Sequence, residues 1–246
     1  MSTDKNILLG IPVPTLSQRN ILEKLDGFLA HPGPMRHIVS LNPEILVLAQ
    51  ENEEFRSSLL SADLSLVDGS GVRLAARMRG IPVGERYTGV DFMKDAIEHL
   101  SNGRSRVLLL GGRPKLADKL AKRYAQTYPN LTFRGLSGIE DIKGDQVGEE
   151  SERVLAYVRD YKPHIIFAAF GSPFQEIWFS RNAQALRGTV CVGVGGAFDF
   201  LAGEVPRAPE LLRKLGLEWL FRLAVQPWRW KRQLRLLKFA IMVATS

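Results

Sequence analysis

Short runs of apolar and β-branched residues alternate along the chain with longer stretches whose apolar positions recur at helical spacing. The runs that read as strands cover 7–11, 37–41, 64–67, 107–110, 131–135, 165–170 and 189–194. Between them, helical periodicity covers 16–29, 43–60, 71–79, 91–100, 114–127, 148–159 and 174–186. Strands that are apolar nearly throughout are buried on both faces. The alternation therefore predicts an α/β fold, a mostly parallel sheet with helices on both sides. After Gly203 it stops. Pro206, Pro209 and Pro227 punctuate two further helical stretches, 209–224 and 227–243, and proline suits the first turn of each. The expected organisation is a core of residues 1–203 and a C-terminal helical appendage of residues 204–246.

Composition narrows this picture only slightly. At 246 residues, with 45% hydrophobic and 24% charged, the chain is globular rather than disordered, collagenous or built of repeats. The single Cys191 excludes an internal disulfide and a cysteine-based zinc site, and fits a reducing cytoplasm. Residues 1–6 carry no secretion pattern, and no apolar run approaches the roughly 20 residues of a spanning helix.

Charge adds more. The net charge is +7, and the segment 222–246 holds six basic residues and no acid, while the rest of the chain is nearly balanced. Such a tail is expected to meet something anionic. Trp230, Leu234, Leu237 and Ile241 fall at i, i+4, i+7 and i+11, one apolar stripe flanked by Lys231, Arg235 and Lys238. Trp228 and Trp230 beside basic residues suit the headgroup level of a bilayer. Leu236 and Phe239 fall on another side, where they would pack on protein. The expected location is cytoplasmic, held peripherally at the inner face of the cell membrane through an anionic lipid surface. An ordinary packed helix is the alternative; nucleic acid is not expected as a partner. Docking of the apolar tail on a second copy, as a homo-oligomer, stays open.

In such sheets, ligands bind at the carboxyl ends of the strands, so the strand-to-helix joints are where chemistry is sought. Asp68 ends a strand and precedes Gly69-Ser70-Gly71: it is either a general base at the mouth of the sheet or the N-cap of the next helix. Ser40 and Asn42 place small polar groups on the same edge, with turn formation or capping as the alternative. Arg86 and Asp91 flank Gly89 and would bind substrate, unless Asp91 caps the helix that begins there. Gly111-Gly112 and Gly193-Val194-Gly195-Gly196 are turns suited to holding a diphosphate with backbone N–H groups. Neither matches a dinucleotide fingerprint, and no P-loop exists. Gln175, in Gly171-Ser172-Pro173-Phe174-Gln175-Glu176, would hydrogen-bond a sugar or base. Asp199 sits between two phenylalanines and is expected to need a partner such as Arg207. The four histidines are scattered and no Asp-x-Asp pair occurs, so no metal site is expected.

Taken together, these motifs resemble the WecG/TagA/CpsF glycosyltransferases, known as glycosyltransferase family 26. The resemblance runs through Ser40-Leu41-Asn42-Pro43-Glu44, Val67-Asp68-Gly69-Ser70-Gly71, Arg86-Tyr87-Thr88-Gly89-Val90-Asp91 and Leu109-Leu110-Gly111-Gly112. It continues with Gly171-Ser172-Pro173-Phe174-Gln175-Glu176-Ile177-Trp178, Gly193-Val194-Gly195-Gly196-Ala197-Phe198-Asp199-Phe200, Arg207-Ala208-Pro209 and Leu217-Glu218-Trp219-Leu220-Phe221-Arg222. It implies a Rossmann-like fold and inverting, metal-independent transfer, with no cofactor. The sugar, N-acetylmannosamine or a related hexose or uronic acid, would pass from a UDP-sugar to a polyprenyl-diphosphate-linked acceptor. The products of such enzymes feed teichoic acid, enterobacterial common antigen or capsule. The resemblance assigns Asp68 as the catalytic base and Ser40, Asn42, Arg86 and Gln175 to substrate, with Ser40 standing where the family prefers Thr. It adds Arg222, Arg229 and Arg232 from the appendage. Two other classes compete: a nucleotide-sugar oxidoreductase or epimerase, and a non-catalytic UDP-sugar-binding scaffold that docks on membranes.

Overall fold

Where the pattern predicts one strand over 7–11, the chain forms a hairpin. β1 (Ile7–Leu8) and β2 (Ile11–Pro12) pair antiparallel, because Leu9 and Gly10 both take positive φ, 50° and 74°, and reverse the chain. The computed structural model describes residues 6–139 and 147–245, and the side chains of Val147, Arg229 and Lys231 lie outside that description. The core continues as α1 (Gln18–Ala30), β3 (Arg36–Leu41), α2 (Pro43–Glu51), α3 (Glu53–Leu60), β4 (Leu64–Val67), α4 (Ser70–Met78) and α5 (Gly89–Leu100). Then come β5 (Arg106–Gly111), α6 (Leu116–Thr127), β6 (Thr132–Leu136), α7 (Val147–Tyr161), β7 (Ile165–Ala169), α8 (Phe174–Arg181), β8 (Val190–Gly193) and α9 (Ala197–Leu201).

Six strands, in the order β4-β3-β8-β7-β5-β6, form one sheet in which every described neighbour runs parallel. This is the α/β arrangement that the alternation predicts and the Rossmann-like fold that the family resemblance implies. Successive residues of one strand enter different cores: Ile38, Leu109 and Phe167 pack with α1, α5 and α6, while Val39, Leu108 and Ile166 pack on the opposite side. Burial on both faces is why these runs are apolar without alternation. β3 lies between β4 and β8, so the carboxyl ends of β3, β4, β8 and β7 stand side by side.

The predicted helix over 43–60 is two helices. Asn52 ends α2 and, in extended conformation, caps α3 by accepting from the Phe55 N–H at 2.9 Å. The helix predicted over 174–186 ends at Arg181. The appendage likewise divides further than its periodicity suggests. α10 (Glu210–Lys214) and α11 (Glu218–Val225) are separated at Gly216, whose φ of 76° no helix accepts. A 3-10 turn at Pro227–Arg229 leads into α12 (Trp230–Thr245). α12 lies along α2, burying Phe239 and Val243 in the same cluster as Ile45, Leu46 and Phe55. Among the described residues, no helix is long and apolar enough to cross a membrane.

Candidate active site

The carboxyl ends of those strands and the C-terminal half of α11 enclose one cleft. Its lining includes Ser40, Asn42, Asp68, Gln175, Gly195, Gly196, Arg222 and Arg232. The two readings of Asp68 now separate. The N-cap position of α4 is Gly69, at φ 131°, and no side chain caps that helix. Asp68 instead turns toward α5, where its Oδ2 accepts from the Gly89 N–H at a long 3.4 Å. Half-buried with so little hydrogen bonding, its carboxyl is pushed up to about 6 by burial, against the pull of Arg86, the Gly89 N–H and Arg222; Glu218 adds to the rise.

Asn42 caps α2, its Oδ1 accepting from Ile45 N–H at 3.0 Å, and still lines the cleft. Ser40 is buried on β3 with a hydroxyl that finds no partner among the described residues. The Gly89 backbone passes so close that a Cβ there would sit 3.2 Å from Ser40 Oγ. Gln175 is also buried, and its amide is committed to the protein. Its Oε1 accepts from the N–H groups of Gly171 and Gly195, both at 3.2 Å, tying the loops after β7 and β8 together. Its Nε2 donates to Glu176 Oε1 at 2.8 Å, which also accepts from Ser172 Oγ at 2.8 Å. Burial pushes the Glu176 carboxyl above its ordinary range.

Of the remaining candidates, Asp199 lines the cleft, while Arg86, Asp91, Gly111 and Gly112 are not part of its lining. Arg86 pairs through Nη2 with Glu218 Oε2 at 3.0 Å and donates through Nη1 to the Arg213 carbonyl at 3.0 Å. Asp91 does not cap α5. Thr88 does, accepting from Asp91 N–H at 3.1 Å and donating to Asp91 Oδ2 at 2.7 Å, a reciprocal cap. Asp91 also takes a two-pronged ion pair from Arg207 at 2.7 and 2.8 Å. Asp199, expected to need Arg207, pairs instead with Arg113 at 2.8 Å. The Gly111-Gly112 turn, at φ 91° and 79°, packs under aromatic rings: a Cβ would lie 2.8 Å from Phe170 at the first position and 3.1 Å from Phe198 at the second. The Arg229 side chain lies outside the described residues.

The appendage cations are mostly answered by core carboxylates. Arg232 and Arg235 both bind Glu44, at 2.7 and 2.8 Å, and Lys238 binds Glu51 at 2.6 Å. Arg235 and Lys238, expected at an anionic leaflet, are thus matched within the protein. Arg222 differs. Among the described residues no carboxylate lies within ion-pair distance of it; its guanidinium stacks 4.5 Å from the centroid of Phe200, where a Cβ on Gly196 would come within 2.7 Å of Nη2. Phe200 and Glu44, which sequence reasoning left without roles, therefore hold the two arginines that line the cleft. A second hollow, of about 320 Å³ beside α6, holds no candidate site residue, and its cations are engaged by Glu204, Asp118 and the Leu201 carbonyl. Among the described residues, no group of three His, Cys, Asp or Glu side chains is placed to hold a metal ion.

This arrangement of one poorly solvated carboxylate, an unmatched arginine and glycine turns suits transfer chemistry at an anionic leaving group. Residues 6–246 match the model of the Glycosyl transferase WecG/TagA/CpsF family. The chain belongs to that family. It is a glycosyltransferase of the hexosyl-transferring kind. Among curated relatives, it is 30% identical over 206 residues to the N-acetylglucosaminyldiphosphoundecaprenol N-acetyl-beta-D-mannosaminyltransferase of Bacillus subtilis (strain 168), covering 84% of this chain and 78% of that one. It is 29% identical over 243 residues to the enzyme of the same name from Staphylococcus aureus (strain NCTC 8325 / PS 47), covering 98% of this chain and 92% of that one.

Proposed function

We propose that this glycosyltransferase moves N-acetylmannosamine, or a related hexose or uronic acid, from a UDP-sugar to a polyprenyl-diphosphate-linked GlcNAc acceptor, with inversion and without a metal ion or other cofactor. The names of both relatives support the acceptor and the sugar, and teichoic acid or another cell-surface polysaccharide is the product class that follows. The observation that carries the mechanism is Asp68, a carboxylate that caps no helix and faces the cleft with one long hydrogen bond. Asp68 takes the proton of the acceptor hydroxyl as that oxygen bonds to the anomeric carbon. The bond from that carbon to the UDP oxygen breaks on the opposite face, and UDP leaves with the electron pair. Arg222 offsets the charge gathering on the diphosphate, helped by backbone N–H groups of the glycine turns. Gly195 has a share of its N–H already taken by Gln175, which leaves the neighbouring turn amides and Arg222 as the principal donors.

The same reading places the enzyme at the membrane surface, where a polyprenyl acceptor resides. Trp230, Leu234, Leu237 and Ile241 are 55, 57, 62 and 56% exposed along one side of α12. An uncovered apolar stripe of this kind, rather than cation number, is what supports peripheral docking. The test is incubation with a panel of UDP-sugars and a short-chain lipid-diphosphate-GlcNAc, in EDTA and again with added magnesium, with products analysed by mass and by the anomeric coupling of the new bond. Transfer that survives chelation and inverts the anomeric centre is expected. Strict dependence on the divalent ion, or retention of configuration, would overturn the mechanism.

A further inference from the structure

The seam between core and appendage is stitched by charges that cross it. Core Arg86 binds appendage Glu218, core Asp91 binds appendage Arg207, and core Glu44 binds Arg232 and Arg235. One of these stitches starts from a residue paired with the end of the strand that carries Asp68. Arg86 forms an isolated parallel bridge with Val67, and the next N–H, from Tyr87, donates to the Val67 carbonyl at 2.9 Å. That pairing puts Arg86 beside the end of β4, next to Asp68. Its guanidinium is gripped twice by the appendage, at Glu218 and at the Arg213 carbonyl. Glu218 also lies 3.6 Å from Arg207 Nε and precedes Arg222 by one turn on α11, so both project from one face of that helix.

We propose that Glu218 is a positioning residue for the transfer reaction: it fixes the guanidinium of Arg86, whose backbone pairs with the end of β4 next to Asp68, and so sets the charge around the base. This rests on the assignment of Asp68 as the base. The charged groups around Glu218 are Arg86 from the core, Arg207 from the segment before α10, and Arg222 and the nearby Asp68 carboxylate in the cleft. Asp68 in turn feels Arg86 and Arg222 lowering its pKa and Glu218 raising it, besides its burial. Removing the Glu218 charge while keeping an acceptor for Arg86 must therefore favour the ionised form of Asp68. Removing the grip altogether must cost turnover, since Arg86 is then held on one side only.

The experiment compares wild type, Glu218→Gln, Glu218→Asp and Glu218→Ala. Two readouts are used: the pH dependence of kcat/KM, and the titration of the Asp68 carboxyl followed by 13C NMR, assigned by its loss in Asp68→Asn. In Glu218→Gln the titration and the acid limb of the profile should both move to lower pH, by about half a unit to one unit. Glu218→Ala should lose on the order of tenfold in kcat with little change in donor KM, and Glu218→Asp should restore part of it. An Asp68 titration unmoved in Glu218→Gln would overturn the proposal, as would wild-type kcat in Glu218→Ala. Should Glu218→Ala fail to fold, the Gln variant still decides. The NMR titration needs no turnover, so it separates failure of this inference from failure of the proposed reaction, which would show instead as an Asp68→Asn variant of undiminished rate.

Discussion

Replacing the Asp68 carboxylate by a carboxamide should make the protein more stable and nearly inactive, and the two effects share one origin. Burial moves this carboxyl from the 3.8 of a free aspartate to about 6. In the folded state the proton is held more tightly than in the unfolded chain, so the protein loses stability as pH rises from 3.8 to 6 and recovers none above. Two units at 1.36 kcal/mol each give an upper figure of about 3 kcal/mol; residual access to the cleft reduces this to between about 1 and 3 kcal/mol. Asp68→Asn abolishes the titration. At pH 7.5 the variant should therefore gain that amount, which for a chain of this size raises Tm by about 2–4 °C per kcal/mol. At pH 4 the gain should nearly vanish, because the wild-type carboxyl is then protonated in the fold. Urea unfolding of both proteins at the two pH values measures the difference directly. Turnover at pH 7.5 should fall by about 10²–10⁴, the usual size of a general-base contribution. A variant less stable than wild type at pH 7.5, or a gain of equal size at both pH values, would show that burial strain on the carboxylate is not stored in this site.

Three other outcomes follow from the geometry. Gly196→Ala keeps an ordinary backbone conformation, but its methyl meets Arg222 Nη2 at 2.7 Å; a fall in kcat of about tenfold or more, with Tm changed by only a few degrees, is expected as the guanidinium leaves Phe200. Glu44→Gln removes the partner of two arginines at once and should destabilise the protein by about 1–3 kcal/mol in urea, with the loss smaller at high salt. Vesicle binding should depend on Leu234 and Leu237, falling several-fold or more in the double Ser variant. It should change little between about 0.1 and 0.5 M salt, because the cations of α12 that are described are matched to Glu44 and Glu51.

The strands of the sheet were legible because burial on both faces leaves an unbroken apolar run, and the joints after β3, β4, β7 and β8 found from those runs line the cleft, while Gly111-Gly112 does not. What the pattern conceals is where a helix stops inside a stretch that stays rich in apolar residues. Asn52 and Gly216 each end a helix within such a stretch, and the cues are one capping side chain and one glycine. Leu9-Gly10 is concealed for a different reason: leucine at positive φ is rare, and its turn is paid for by packing of Leu8 and Ile11. Charge partners were the least legible of all. Arg207 meets Asp91 across 116 positions, Arg86 meets Glu218 across 132 and Glu44 meets Arg232 across 188, and no local spacing carries that information. The pairing of Asp199 with Arg113 rather than Arg207 is the same lesson in one residue.

α2 lies between two things that matter. Its first turn, capped by Asn42, is cleft wall; its flank carries α12, whose opposite side is bare hydrocarbon. Nine helical residues measure about 13 Å, and this rod is packed into the core along its length through Ile45, Leu46, Val47 and Ala49. On the proposed docking, any interface that meets the outer side of α12 stands at a set distance from the cleft. On that reading, a carrier has to hold its sugar clear of the surface by that distance to bring it to Asp68.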